Sequence, residues 1–425
     1  MPRPALPPTL RPLLLPTEPV ERALTLSTIT AALSTGLFFS VSALYFTRVI
    51  GLSATTVGLG LTIAGAVGVA ASYLGGHLAD RVGADRLQVV ANAVQGAALL
   101  AYVWAGTALT FTLIACVAVG GRSLQGTAKA AVQARWFTGP ERVAVRARLR
   151  VVTNVCIGLG TCLAAAALVA DTAAAYRATM VAIALLTGAA TVPLTGLRQR
   201  VPGLAACLAA GVDETGARLR GPSPLRDRTY LTSVALNSVI AMQFGMQSVG
   251  VPLWIATRTD APTVMISVLL VVNTVFVALF QVRASRGTHD IGYAGRTVRR
   301  GSLLLGAACL LYGSAGSGGA VVAVLVLLAA ELLGSAAEVW CEAGGWGLAY
   351  ELADPLSAGA YQGLSQTGYA LANMLAPLVV TATAVDHGLP GWMLLATLFA
   401  LAGTAVAELA RRAAGRRTSP VELVA

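Results

Sequence analysis

Twelve stretches of about twenty mostly apolar residues, each long enough to cross a bilayer, run through this chain of 425 residues. They cover 24 to 47, 55 to 79, 87 to 106, 109 to 134, 149 to 170, 175 to 195, 229 to 256, 263 to 284, 299 to 316, 319 to 343, 362 to 385 and 389 to 412. The runs are continuous and not alternating, so they predict helices and not barrel strands. Composition points to the same solvent. The chain is 56% hydrophobic and 12% charged, against roughly 45–50% and 25% in a soluble domain, and its mean hydropathy is +0.73.

The longest polar stretch, Arg198 to Arg228, divides these runs into six and six. The expected organisation is a tail over 1–23, a helix bundle over 24–197, a central loop over 198–228, a second bundle over 229–412 and a tail over 413–425. The opening "MPRPALPPTLRPLLLPTEPVER" has an apolar patch, but prolines interrupt it and no small-residue cleavage site follows, so it is expected to be a cytoplasmic tail.

The formal charge of +11 and pI near 9.8 do not imply nucleic acid, because the basic residues form no single patch and no binding motif. They sort by membrane side instead. With both tails inside, twenty-five arginines fall in the inner segments, and only Arg48, Arg177 and Arg258 fall outside. The positive-inside rule then places both termini in the cytoplasm. Abundant Ala and Gly, with Lys129 the only lysine, indicate a GC-rich genome and so a bacterial plasma membrane.

Several chemistries lack their residues. The six cysteines show no CxxC or paired spacing, so neither a disulfide framework nor a metal site is implied, and no cofactor is expected. No GxxxxGK[ST] phosphate loop occurs, which argues against ATP hydrolysis within the chain. An integral-membrane enzyme would want a His/Asp set at one membrane face, but His77, His289 and His387 are scattered.

The stretch "ELLGSAAEVWCE" places Glu331, Glu338 and Glu342 in an otherwise oily run. Steps of seven and four return to nearly one direction on a helix, so the three carboxyls share a stripe with Ser335. In the fourth run, "RSLQGTAKAA" puts Arg122, Gln125 and Lys129 on one face. A charge near mid-membrane costs around 2.5–3.5 kcal/mol on insertion scales, so such residues are usually functional or paired. A shift of 213 sets the two halves faintly against each other, with Glu342 opposite Lys129, Glu338 opposite Gln125 and Ser335 opposite Arg122.

The loop after the second run reads "GGHLADRVGADR". It is a tight turn in which Gly76 permits close helix contact, Gly83 permits positive φ, and Asp80 and Arg81 set opposite charges at the membrane surface. Here the chain resembles the major facilitator superfamily, whose signature in this loop is G-x-L-A-D-R-x-G followed by two basic residues. Gly76, Leu78, Ala79, Asp80, Arg81 and Gly83 match, whereas Ala84 and Asp85 depart from the basic pair and Arg86 follows one position late. The "RSLQGTAKAA" face resembles R-x-x-Q-G-x-G-A-A of the family's proton-linked members, with Ala128 and Lys129 departing. The exporters' span 5 signature, G-x-x-x-G-P-x-x-G-G, is not matched by "NVCIGLGTCLAAA", which keeps Gly158 and Gly160 but has no proline.

The resemblance implies an all-α integral membrane fold of twelve helices in two pseudo-symmetric six-helix bundles, with spans 1, 4, 7 and 10 lining a central cavity. It implies a conformational latch at Gly76, Asp80, Arg81 and Gly83, and a basic stripe of Arg122 and Lys129 facing the acidic stripe of Glu331, Glu338 and Glu342. Phe38, Ser42, Gln125, Asn237, Gln243 and Gln247 are the cavity candidates. The function expected is proton-coupled export of a drug-like or secondary-metabolite small molecule by a monomer in the lipid bilayer. A proton symporter importing a nutrient is the alternative, and an integral-membrane enzyme or a non-transporting sensor on the same scaffold are further ones.

Overall fold

The computed structural model describes residues 16–208 and 221–418. Among them the regular structure is helical, with no strand. Twelve long helices follow one another: α1 (Pro19–Val49), α2 (Ala54–Val82), α3 (Ala84–Trp104), α4 (Ala108–Trp136), α5 (Gly139–Ala170), α6 (Ala173–Ala189), α7 (Arg228–Arg258), α8 (Met265–Ala284), α9 (Ile291–Ser314), α10 (Ala320–Glu351), α11 (Pro355–Val385) and α12 (Leu389–Thr418). Ten of these are long and apolar enough to cross a membrane. Of the other two, α6 has 17 residues, and α9 carries Arg296, Arg299 and Arg300 in its first half, which delays its apolar run.

Local chemistry sets the helix starts. Ser53, Thr172, Asp227 and Asp290 each accept a first-turn backbone N–H of α2, α6, α7 and α9, and Thr107 with Thr110 closes a reciprocal box at α4. Gly83, at φ 97°, ends α2 and begins α3 in a single residue. That backbone conformation is costly for any residue with a Cβ. π-helical turns interrupt α1, α7 and α11 at Tyr45–Val49, Met246–Gly250 and Thr381–Val385.

Several helices outrun the apolar segments that mark them, whereas α6 stops at Ala189, short of its expected end at 195. α1 begins at Pro19, inside the expected tail, and α12 continues to Thr418, beyond the expected end at 412. The central polar stretch is not wholly loop, because Leu197–Arg200 and Leu204–Leu208 are short helices. Residues 1–15, 209–220 and 419–425, which hold the rest of the expected tails and loop, lie outside the described residues.

Over the described residues the chain forms two compact units. Unit one takes Met1–Thr138, Arg148–Gly221 and Pro355–Thr367; unit two takes Gly139–Ala147, Pro222–Asp354 and Gly368–Ala425. α5 and α11 therefore each give their first turns to one unit and the remainder to the other. Unit one is packed around Phe46, whose ring centroid lies 4.9 Å from that of Tyr102 and 4.8 Å from that of Phe111. Its α1 and α5 touch backbone to backbone, since a Cβ on Gly36 would overlap the Ile157 carbonyl and one on Gly160 the Leu33 carbonyl. Unit two has its own aromatic centre, where Trp254 Nε1 donates to the Tyr312 carbonyl at 2.7 Å and the Tyr312 and Trp392 rings lie 5.5 Å apart. Each unit thus has aromatic side chains buried at its centre, where they contribute a large apolar area.

Candidate functional site

In unit one the turn between α2 and α3 makes a three-way junction. Asp80 Oδ1 accepts the Gly359 N–H at 2.9 Å and Oδ2 accepts the Ala360 N–H at 2.8 Å, both at the start of α11. Arg135, at the end of α4, donates to the same Oδ1 at 2.6 Å. A carboxylate on the free N–H groups of a helix start meets both unpaired donors and the positive end of the helix dipole. Gly76, one turn earlier, makes the approach possible, because a Cβ there would overlap the Gly359 carbonyl and crowd Gly363 and Ala360.

The rest of the turn serves other contacts. Arg81 is exposed. Asp85, the departure from the signature, receives two bonds from Arg198, Nε at 2.5 Å and Nη2 at 2.6 Å. These bonds raise the Arg198 pKa above its ordinary value, against a smaller opposing effect of burial. Arg135 also donates to the Leu208 carbonyl at 3.3 Å, which ties the short helix Leu204–Leu208 to the same junction.

The three glutamates of α10 lie in unit two and are 4%, 1% and 5% exposed for Glu331, Glu338 and Glu342. Two of them stand on one hydrogen-bonded chain. Tyr312 of α9 donates to Glu331 Oε2 at 2.6 Å, and Ser335 donates to Glu331 Oε1 at 3.4 Å. Asn273 of α8 donates to Ser335 Oγ at 3.2 Å and to Glu338 Oε2 at 2.9 Å. Glu342 is placed differently and accepts from Tyr369 of α11 at 2.8 Å.

The basic stripe of α4 lies in unit one. Arg122 is accessible at its surface although protein crowds it closely, and its guanidinium sits 5.5 Å from the Phe39 ring centroid. Gln125 and Lys129 are half-buried on the same helix. Of the cavity candidates, Phe38 packs against Phe46 and Tyr102, and Ser42 is half-buried near the π-helical turn of α1. Asn237 donates to the Ser233 carbonyl at 2.8 Å. Gln243 is fully buried with no hydrogen-bond partner for its amide, and the Gln247 Nε2 also lacks one.

Several residues of these networks had no signal in the sequence. Asn273 is one of several uncharged polar residues in its apolar run, beside Ser267, Thr274 and Gln281, and Tyr312 is one aromatic among many. A further cluster in unit two joins the start of α5 to the end of α10. Arg146 donates to the Tyr350 hydroxyl at 3.2 Å, with its guanidinium 5.1 Å from the centroid of Trp346, while Arg142 pairs with Glu351 at 3.5 Å. Arg142 and Arg146 had counted only as loop charge.

With this geometry in view, a family model described as "Major Facilitator Superfamily" matches residues 24–377. The chain belongs to the Major Facilitator Superfamily. It is accordingly a multi-pass membrane transporter and not an enzyme. Among solved structures, a bacterial homologue of the iron transporter ferroportin in the outward-facing state is similar at TM-score 0.71 and 16% identity, over 93% of this chain and 100% of that one. The human organic anion transporter MFSD10 (TETRAN) is similar at TM-score 0.68 and 16% identity, covering 92% and 99%. The proton:xylose symporter XylE bound to 6-bromo-6-deoxy-D-glucose is similar at TM-score 0.65 and 14% identity, covering 93% and 95%. At such identities the likeness speaks to the facilitator fold alone. The search of curated proteins found no match.

Within this superfamily frame the correspondence of halves is visible in the helices. The shift of 213 carries Ala108–Trp136 onto 321–349, where α10 spans Ala320–Glu351. It carries Gly139–Ala170 onto 352–383, where α11 spans Pro355–Val385.

Proposed function

We propose that this transporter couples movement of a small molecule to protons, and that Glu331 and Glu338 carry the coupling. The observation that supports this reading is the buried chain Tyr312, Glu331, Ser335, Asn273, Glu338. Two carboxyls withdrawn from water and hydrogen-bonded by neutral side chains are groups whose protonation responds to small changes of surroundings. An ionised carboxyl at that depth costs a few kcal/mol, which a proton removes. Arginine does not release its proton, so Arg122 serves as a fixed charge. Lys129 lies two turns further along the same helix, and Glu342, held by Tyr369, is the subsidiary member.

Export of a drug-like or secondary-metabolite compound by a monomer is the direction we favour, in a bacterial plasma membrane with both termini cytoplasmic. The amides of α7 and the methionines beside them suit a mid-sized amphipathic molecule. Asp80 is the latch in this reading. It stabilises the start of α11 through two N–H bonds, and its release accompanies turnover.

The test is reconstitution of the full chain into proteoliposomes loaded with the pH-sensitive dye pyranine, with amphipathic compounds added outside. A compound that moves protons through wild type, and not through Glu331→Gln or Glu338→Gln, supports the reading. Transport that proceeds with no proton movement in wild type overturns it.

A further inference from the structure

α3 and α6 meet along a seam that does not close on itself. Asp85, Gln88, Asn92 and Gly96 recur at steps of three, four and four, so they form one stripe of α3. Both ends of the stripe are pinned to the α6 side of unit one, Asp85 by Arg198 and Gly96 by Gly188, whose nitrogen a Cβ on Gly96 would approach to 3.0 Å. Between these ends, Gln88 is 1% and Asn92 0% exposed, and neither amide has a hydrogen-bond partner on nitrogen or oxygen. Between Gly188 and Arg198, residues 190–196 leave α geometry, and Pro193 offers no N–H. Buried amides left this way are costly.

Directly along the stripe lies a groove of about 430 Å³, lined by Ala93, Gly96, Ala97, Ala184, Gly188 and Val192. Its surroundings are apolar and outward-facing, with Val90 58% and Leu185 65% exposed, so hydrocarbon covers it in a membrane. The end of the seam at the start of α3 is basic. Arg86 and Arg200 are exposed on either side of the Asp85–Arg198 pair, Arg200 also donating to the Pro193 and Thr195 carbonyls.

We propose that this seam is a binding site for an anionic phospholipid, with one acyl chain in the groove and the phosphate between Arg86 and Arg200. Charge selects the lipid class: apolar lining alone would accept any chain, whereas two exposed guanidinium groups at one end favour an anionic headgroup. Arg86 and the first groove residue, Ala93, are seven residues apart on α3, so the basic end and the groove share one face of that helix.

The probe is phosphatidylglycerol. The full chain is reconstituted in nanodiscs of phosphatidylcholine with or without it, and retained lipid is read by native mass spectrometry. Wild type retains phosphatidylglycerol over phosphatidylcholine. Arg86→Gln and Arg200→Gln each weaken retention about fivefold, the factor one arginine contributes at an anionic surface. Gly188→Leu, at a position where a Cβ meets nothing within 4 Å, fills the groove and abolishes retention, while Gly188→Ala keeps it. Should Gly188→Leu fail to fold, the arginine variants decide. Equal retention of both lipids by wild type overturns the proposal, as does undiminished retention in the arginine variants. If Gly188→Leu instead breaks a dimer, the groove belongs to a second copy of the chain and the lipid assignment is wrong.

Discussion

Asn273 Nδ2 donates to Glu338 Oε2 at 2.9 Å and to Ser335 Oγ at 3.2 Å, so one amide of α8 joins two turns of α10. Through Ser335 the link continues to Glu331. The two carboxyls therefore share a hydrogen-bonded surrounding, and a change at one is felt at the other.

Replacing that amide should be visible in the pH profile. Asn273→Leu removes the donor that joins Glu338 to Ser335, so the midpoint of the transport–pH curve is expected to differ from that of wild type, with substrate binding kept. An unmoved midpoint would remove Asn273 from the coupling chain.

Asp80→Asn preserves shape but removes the charge on the α11 start and the partner of Arg135. A carboxylate at a helix start contributes about 0.3–1 kcal/mol, up to about 2 when partly buried. Slowed transport, by several-fold up to about thirtyfold, with binding unchanged is the expected outcome. Turnover at the wild-type rate in a stopped-flow assay would contradict the latch.

Arg146 over Trp346 is a cation–π contact in a desolvated setting, of a kind worth about 0.5–2 kcal/mol. Arg146→Met should lower the melting temperature in detergent, and Trp346→Phe should lower it less. Equal melting temperatures for all three proteins would show that the contact contributes nothing.

Orientation can be measured independently of mechanism. Single cysteines in the two tails and in the Arg198 to Arg228 stretch, on a cysteine-free background, should resist impermeant thiol reagents in intact cells. Ready labelling of that stretch would reverse the topology.

The positions of twelve helices were legible because each apolar run is continuous and separated by polar breaks. Their lengths were not. α5 starts at Gly139 although its apolar run starts at 149, α9 at Ile291 although its run starts at 299, and α10 reaches Glu351 although its run ends at 343. Hydropathy measures the part that lies in hydrocarbon, whereas segments such as "GPERVAVRAR" form helix just as well outside it. The turn at Asp80 was readable as a tight, charged turn because a short motif carries its own geometry. The partners of the glutamates were not readable, since Asn273 and Tyr312 reach α10 only through helix packing, which periodicity does not encode. Asp85 marked a departure from a signature, and only its bonds to Arg198 give that departure a physical account.

The central claim is that a buried carboxyl of α10 couples transport to protons. Glu338→Gln keeps the volume and the hydrogen-bonding ability of the side chain while removing its titration. The decisive measurement compares uphill transport driven by a pH gradient with substrate exchange at equal pH, in the same proteoliposomes. The account predicts that Glu338→Gln loses the first and retains the second, with Glu342→Gln affected less. Uphill transport with normal proton dependence in Glu338→Gln would contradict it.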